Sequence, residues 1–178
     1  MILLVQIHSL PFHYFEFVKP IEDILKSNNI SFLSKQYKNL SEKTIVDSEK
    51  IIICGTSLKD NAFLNDLSYF HWIKDYEGML LGICGGMHLL GLTYNETLEK
   101  NQEIGLHTIT YKTTFLNEPN QTEVYELHNY CLKPTLFTIL AHSSKCSQVI
   151  KHPTKPQYGV LFHPEVRNKH LILSFVKA

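Results

Sequence analysis

The stretch "MLLGICGGMHLLG", Met79 to Gly91, decides the fold. Its opening residues, Met79–Ile83, are an apolar run without polar alternation, as a strand buried on both faces requires. The run ends at Cys84, and a second apolar run, Met87–Leu92, follows at once with the density of a buried helix. Five of the chain's eight glycines lie between Gly78 and Gly91. Glycine permits sharp turns and close backbone approach, so the pattern predicts a strand–cysteine–helix elbow with a thiol on its apex. There the amide of Gly85 would open the helix, and a helix N-terminus favours negative charge. The alternative is that Cys84 is a small buried hydrophobe, as free cysteines often are.

Working outward, the first half alternates strands and helices. "ILLVQI" (Ile2–Ile7), "ISFLS" and "KIIICG" (Lys50–Gly55) read as strands. Glu16–Lys26 and Leu64–Tyr76 carry apolar residues at helical spacing. The expectation is an α/β fold: a mostly parallel open sheet covered by helices on both faces. The second half changes character. "GLHTITYKTT" (Gly105–Thr114) and Glu123–Leu127 alternate like antiparallel strands; "LFTILAHS", "SQVIKH" and "YGVLFH" follow, and Asn168–Lys177 closes as a helix. With no repeat or linker, residues 1–178 are expected to form one domain.

The bulk numbers agree. A chain of 178 residues can bury roughly 70% of its unfolded surface without disulfides or metals. Seventeen basic and seventeen acidic residues balance, which argues against nucleic acid or an anionic membrane as the main partner. No stretch approaches the roughly 18 apolar residues of a membrane span, and the N-terminal run is too short for a signal-peptide core. The chain is expected in the cytoplasm, with Cys54, Cys84, Cys131 and Cys146 reduced. None of them forms a C-x-x-C pair, and no metal or cofactor is expected.

A reactive thiol needs a base. "QYGVLFHPEV" supplies one: His163 and Glu165 flank Pro164 at the end of an apolar strand. Residues two apart in extended chain project to the same side, so the carboxylate can hold the imidazole while its other nitrogen faces the sulfur.

With these residues in place the chain resembles the class I (triad) glutamine amidotransferases. Gly82, Cys84 and Gly86 match the family's G-x-C-x-G-x-Q, and Phe162–Glu165 match its F-H-P-E. "IIICGTSLKD" falls where the family has its oxyanion loop, and "ELHNYCLKPTLFTILAHS" where the GMP synthase branch has a serine-histidine-glycine-aspartate stretch. The resemblance spans the chain in order and is nearest to the stand-alone glutamine amidotransferase subunit of GMP synthase. It implies that Cys84 attacks the side-chain amide of glutamine, with His163 as base and acid and Glu165 as its orienter. Amides of Gly85 and the Gly55–Thr56 loop would hold the oxyanion. Ammonia would pass to a separate ATP-dependent synthetase, since the chain shows no phosphate-binding glycine loop of its own.

Five positions, in three places, depart from the family pattern. His88 stands in place of the substrate-seating glutamine, either as its substitute or as a core histidine. Thr56 and Ser57 replace a glycine and a proline; a β-branched Thr56 resists positive φ, which predicts an oxyanion loop displaced until a partner docks. Asn129 and Tyr130 follow His128 where glycine and aspartate are usual. The resemblance implies that His128 belongs to the substrate site or serves coupling to the synthetase or regulation, and the alternative is an exposed loop histidine. The remaining histidines read as ordinary structure without acidic partners. The same features leave open a γ-glutamyl hydrolase or peptidase, and a non-catalytic binding module on the same fold.

Overall fold

The computed structural model describes residues 1–178. Four strands, β1 (Ile2–Gln6), β2 (Phe32–Gln36), β3 (Lys50–Ile53) and β4 (Met79–Ile83), alternate with helices α1 (Lys19–Ser27), α2 (Glu42–Val46) and α3 (Gly85–Thr93). Then come β5 (Thr97–Tyr111), β6 (Gln121–Lys133), β7 (Thr138–His142), β8 (Ser147–Lys151) and β9 (Gln157–Val160), before α4 (Lys169–Lys177). All nine strands join one sheet, in the order β2-β1-β3-β4-β9-β8-β7-β5-β6. The run β2 to β9 is parallel, and the remaining strands pair antiparallel. This is the expected mixed α/β open sheet.

The unbroken apolar strands are explained by two cores. In β1, Ile2 and Leu4 face one side, where α1 and α4 contribute Ile21, Leu25, Leu171 and Phe175. Leu3 and Val5 face the other, against Phe70, Ile73, Leu89 and Leu90. Each fully buried Leu or Phe of this kind contributes about 1.5–3 kcal/mol of burial. At the far end of α4, Lys50 Nζ donates to the carbonyls of Phe175 and Val176 at 3.1 and 3.0 Å, satisfying acceptors that a helix C-terminus leaves free.

Two expectations change. Leu64–Tyr76 is not an α-helix but two 3₁₀ segments, Ala62–Asn65 and Leu67–Lys74. Leu67, Phe70 and Ile73 recur every three residues, the repeat of the tighter helix rather than of an α-helical stripe. Nor are all cysteines free: Cys131 on β6 and Cys146 before β8 are joined as a disulfide, with Cα atoms 5.5 Å apart. Neither cysteine carried a local signal, because the pairing joins a strand to a turn that only the sheet brings together. Cys54 and Cys84 remain free.

Strands β3, β4 and β9 are adjacent and parallel, so their C-terminal ends open at one edge of the sheet. Ligands in open α/β sheets collect at such an edge. The residues that follow these strands include Gly55, Cys84 and His163.

Candidate active site

Cys84 sits at the elbow between β4 and α3 with φ 49° and ψ −104°. A non-glycine residue held there costs on the order of 1–3 kcal/mol, a strain that recurs at functional sites. The neighbours show why the turn is glycine-rich. A Cβ on Gly82 would lie 2.4 Å from the Gly86 carbonyl oxygen, and one on Gly86 would lie 2.4 Å from the Ile53 carbonyl oxygen. The Cys84 amide donates to Val160 O at 2.8 Å, tying the elbow to β9. Its sulfur is turned toward the Leu127 carbonyl on β6, at 3.7 Å.

His163 lies just beyond β9, its amide bonded to Tyr125 O at 2.9 Å. Nδ1 contacts Glu165 Oε1 at 2.7 Å, and both side chains are fully buried. A carboxylate only accepts, so Nδ1 carries the proton and Nε2 is the nitrogen left for chemistry. Nε2 has no hydrogen-bond partner in this arrangement. Burial alone would lower the pKa of His163; the Glu165 charge and, after it, Cys84 outweigh burial and hold it well above the ordinary histidine range. Phe17 covers the ring, with centroids 5.2 Å apart.

The Gly55–Asn61 loop packs against this pair and is not displaced from it. A Cβ on Gly55 would lie 2.7 Å from His163 Cε1 and 3.5 Å from Cys84 Cβ. No residue of the loop has positive φ, so the β-branched Thr56 is accommodated without strain. The amides of Gly55 and Thr56 donate to no backbone carbonyl. Together with Gly85 at the first turn of α3, they are N–H groups open to an incoming acceptor. A narrow cleft lies between this loop and β6, lined by Thr56, Leu58, Cys84, His88, Leu127 and Asn129 among others.

His88 is fixed differently from the expected substrate-seating residue. Its Nε2 donates to the Tyr130 carbonyl at 3.0 Å, and burial pushes its pKa down to about 4. It is a neutral histidine tying α3 to β6, at the floor of the cleft.

His128 is not an exposed loop residue. It is buried on β6, with Nε2 3.4 Å from Glu103 Oε2 and 3.3 Å from Glu126 Oε2. Burial opposes its charge, yet Glu103 and Glu126 raise its pKa to about 9. Glu103 also accepts from Ser143 and Gln148 at 3.0 Å each. An imidazolium that keeps its proton offers a metal no lone pair.

Sequence reasoning missed Glu103, Glu126, Phe17 and Asp60. Glu126 had a signal: it stands two residues from His128, the spacing that joins His163 to Glu165. Two further histidines gain distant carboxylates, His13 on Asp60 at 2.7 Å and His170 on Glu118 at 2.6 Å.

The sequence signature of the family described as Glutamine amidotransferase class-I matches residues 13–175. The chain is 31% identical over 155 residues to a glutamine-hydrolysing GMP synthase of Spiroplasma kunkelii, covering 79% of this chain and 30% of that protein. It is 38% identical over 95 residues to one subunit of the glutamine-hydrolysing GMP synthase of Methanocaldococcus jannaschii, covering 49% of this chain and 50% of that protein. The chain thus spans between about a third and a half of these relatives. In fold it is similar to a GMP synthase subunit-like protein of Thermoplasma acidophilum, with TM-score 0.86 at 21% identity over 99% of this chain and 92% of that one. A glutamine amidotransferase of Thermotoga maritima gives TM-score 0.75 at 18% identity, over 99% and 83% of the two chains.

Proposed function

The chain belongs to the class I glutamine amidotransferases, and from that premise we propose that it hydrolyses the side-chain amide of glutamine through Cys84, His163 and Glu165. The observation that carries the reading is the buried His163–Glu165 pair at the end of β9, beside a cysteine held at φ 49° on the adjacent β4–α3 elbow.

The thiolate of Cys84 adds to the amide carbon, and the carbonyl π electrons move to oxygen. The amides of Gly85, Gly55 and Thr56, which serve no backbone acceptor, hold that oxyanion. His163, protonated at both nitrogens, gives its Nε2 proton to the departing nitrogen, which leaves as ammonia, and a γ-glutamyl thioester remains on Cys84. Nε2 then takes a proton from water, whose hydroxide attacks the thioester. Glutamate leaves, the sulfur recovers its electron pair, and His163 is again protonated. Glu165 holds Nδ1–H throughout, fixing the ring and stabilising its charge.

The ammonia is delivered to a separate ATP-dependent synthetase, most in keeping with a GMP synthetase because the similar proteins carry that name. On this reading residues 1–178 act as one unit in the cytoplasm. No helix is long and apolar enough to cross a membrane. The balanced charge supports a small-molecule substrate and a protein partner over nucleic acid.

Glutamate release from glutamine by the purified chain, beside Cys84→Ala and with mass spectrometry for the γ-glutamyl adduct, tests the reading. Turnover or adduct that disappears in Cys84→Ala is the expected result. No adduct and no glutamate, with or without the ATPase component of a GMP synthetase present, would remove it.

A further inference from the structure

The loop that carries the open amides is tied down by two side chains at which no catalytic role has been placed. Asp60, at the loop's far end, is buried and receives donors from both sides. From within the loop Thr56 Oγ1 donates to its Oδ2 at 3.1 Å. From the segment after β1, the Ser9 amide donates at 2.8 Å, the Ser9 hydroxyl at 2.6 Å and the Leu10 amide at 3.4 Å, while His13 Nδ1 lies 2.7 Å away. The second tie comes from across the cleft: Asn129 Nδ2 donates to the Leu58 carbonyl at 3.0 Å. Gln102 Nε2 holds the Asn129 carbonyl oxygen at 2.6 Å, fixing which way that amide faces. Asn61 adds a second bond to the same Leu58 carbonyl, at 3.1 Å.

Thr56 and Asn129 are two of the positions at which the chain departs from its family's pattern, and both departures act on one loop. We infer that Asp60 and Asn129 are positioning residues that hold the Gly55–Asn61 loop, with its Gly55 and Thr56 amides, against Cys84 in the isolated chain, so that amide cleavage needs no docked partner. The inference rests on the glutaminase reading. The physical logic is preorganisation: a donor already aimed at the oxyanion stabilises the transition state without a reorganisation step. A loop with glycine and proline at these positions owes its shape to backbone freedom and rigid φ; this one owes it to side-chain bonds. One of those bonds ends on a carboxylate with five donors around it, and charge-assisted bonds are the stronger kind. Burial would raise the pKa of Asp60, but the Ser9 hydroxyl and His13 lower it below the ordinary carboxylate value, so it accepts as an anion.

The test is steady-state glutamate release by the chain alone, for wild type, Thr56→Val, Asp60→Ala and Asn129→Leu. Each is paired with its melting temperature and with the rate at which iodoacetamide alkylates Cys84. Thr56→Val keeps the shape of the side chain and removes only its bond to Asp60. It is expected to lower kcat about tenfold, the scale of one bond to a charged acceptor. Asp60→Ala removes every bond at the first tie and is expected to lower kcat about 10²-fold, the scale of losing one oxyanion donor. In both, KM should move by less than threefold and alkylation of Cys84 should keep its wild-type rate, which a general loss of structure would not allow. If Asp60→Ala does not fold, Thr56→Val and Asn129→Leu decide. Wild-type kcat in all folded variants overturns the inference. So does a wild-type chain that releases glutamate only after the ATPase component of a GMP synthetase is added, an outcome that leaves the glutaminase reading standing. A chain with no γ-glutamyl adduct under either condition removes the reading, and the inference with it.

Discussion

Two buried histidines in this molecule share the same spacing to a carboxylate and do different things. In Glu126-Leu127-His128 the carboxylate and imidazole stand two residues apart on strand β6 and project to one face. In His163-Pro164-Glu165 they stand two apart across a turn, closed by the Val166 amide on the His163 carbonyl at 3.1 Å, and not in the extended chain that the sequence suggested. Around His163 the turn after β9 supplies one carboxylate, on Nδ1, and leaves Nε2 without a partner beside the Cys84 elbow. Around His128 the sheet supplies a second carboxylate: Glu103 is the direct cross-strand neighbour of His128 in the β5–β6 ladder. Two carboxylates crowd the same Nε2, at 3.3 and 3.4 Å. The first histidine is set up to exchange a proton, the second to keep one. A carboxylate–histidine spacing therefore marks a pair, and the third neighbour decides its chemistry.

The sharpest way to break this comparison is Glu165→Gln. It should lower kcat on the order of 10⁴-fold, the loss seen when an orienting carboxylate becomes an amide and the ring takes the wrong tautomer. The melting temperature should move little by comparison. A loss under tenfold would mean that His163 needs no carboxylate and that the two pairs are not distinct.

Next in size is His128→Gln, where the effect should fall on stability. Removing the imidazolium leaves Glu103 and Glu126 buried together, and breaking a buried charge set costs about 3–5 kcal/mol. Urea denaturation reads this directly, and the kcat of the fraction that stays folded should change by less than tenfold. A stable variant without activity would place His128 in the chemistry instead.

Smaller again is the disulfide. Cys131→Ser with Cys146→Ser opens a closure across 15 residues, worth about 3 kcal/mol in the chain-entropy account. Thiol titration of the denatured, unreduced wild type should find two free sulfurs, Cys54 and Cys84; four would mean that the pair is reduced in the isolated chain.

The most diagnostic effect is in pH. A histidine whose folded pKa is raised contributes stability fully below its unfolded value, and loses that contribution as pH rises through the folded value. For His128 the window runs from about 6.5 to about 9. Wild-type stability should decline across it by an amount that is absent from His128→Gln. Equal slopes in the two proteins would show that the imidazole is not held protonated.

What the sequence determined by itself was local: short apolar runs that suit strands buried on both faces, a cysteine at the end of one of them among glycines, and a histidine–proline–glutamate at the end of another. Those features follow from side-chain period and backbone sterics, which act over a few residues. They sufficed for the open α/β sheet and for proposing Cys84, His163 and Glu165 as the site. The 3₁₀ character of Leu67–Lys74 was also written there, in a three-residue repeat that resembles an α-helical one over so short a span. Tertiary structure decided the rest. Sheet order brought the ends of β3, β4 and β9 to one edge, and cross-strand register set Glu103 against His128. The fold joined Cys131 to Cys146 and gathered Ser9, His13 and Thr56 on Asp60. Each of these is a contact between residues far apart in the chain, where hydrogen bonds and charge pairs depend on register and packing. No spacing in the sequence records those.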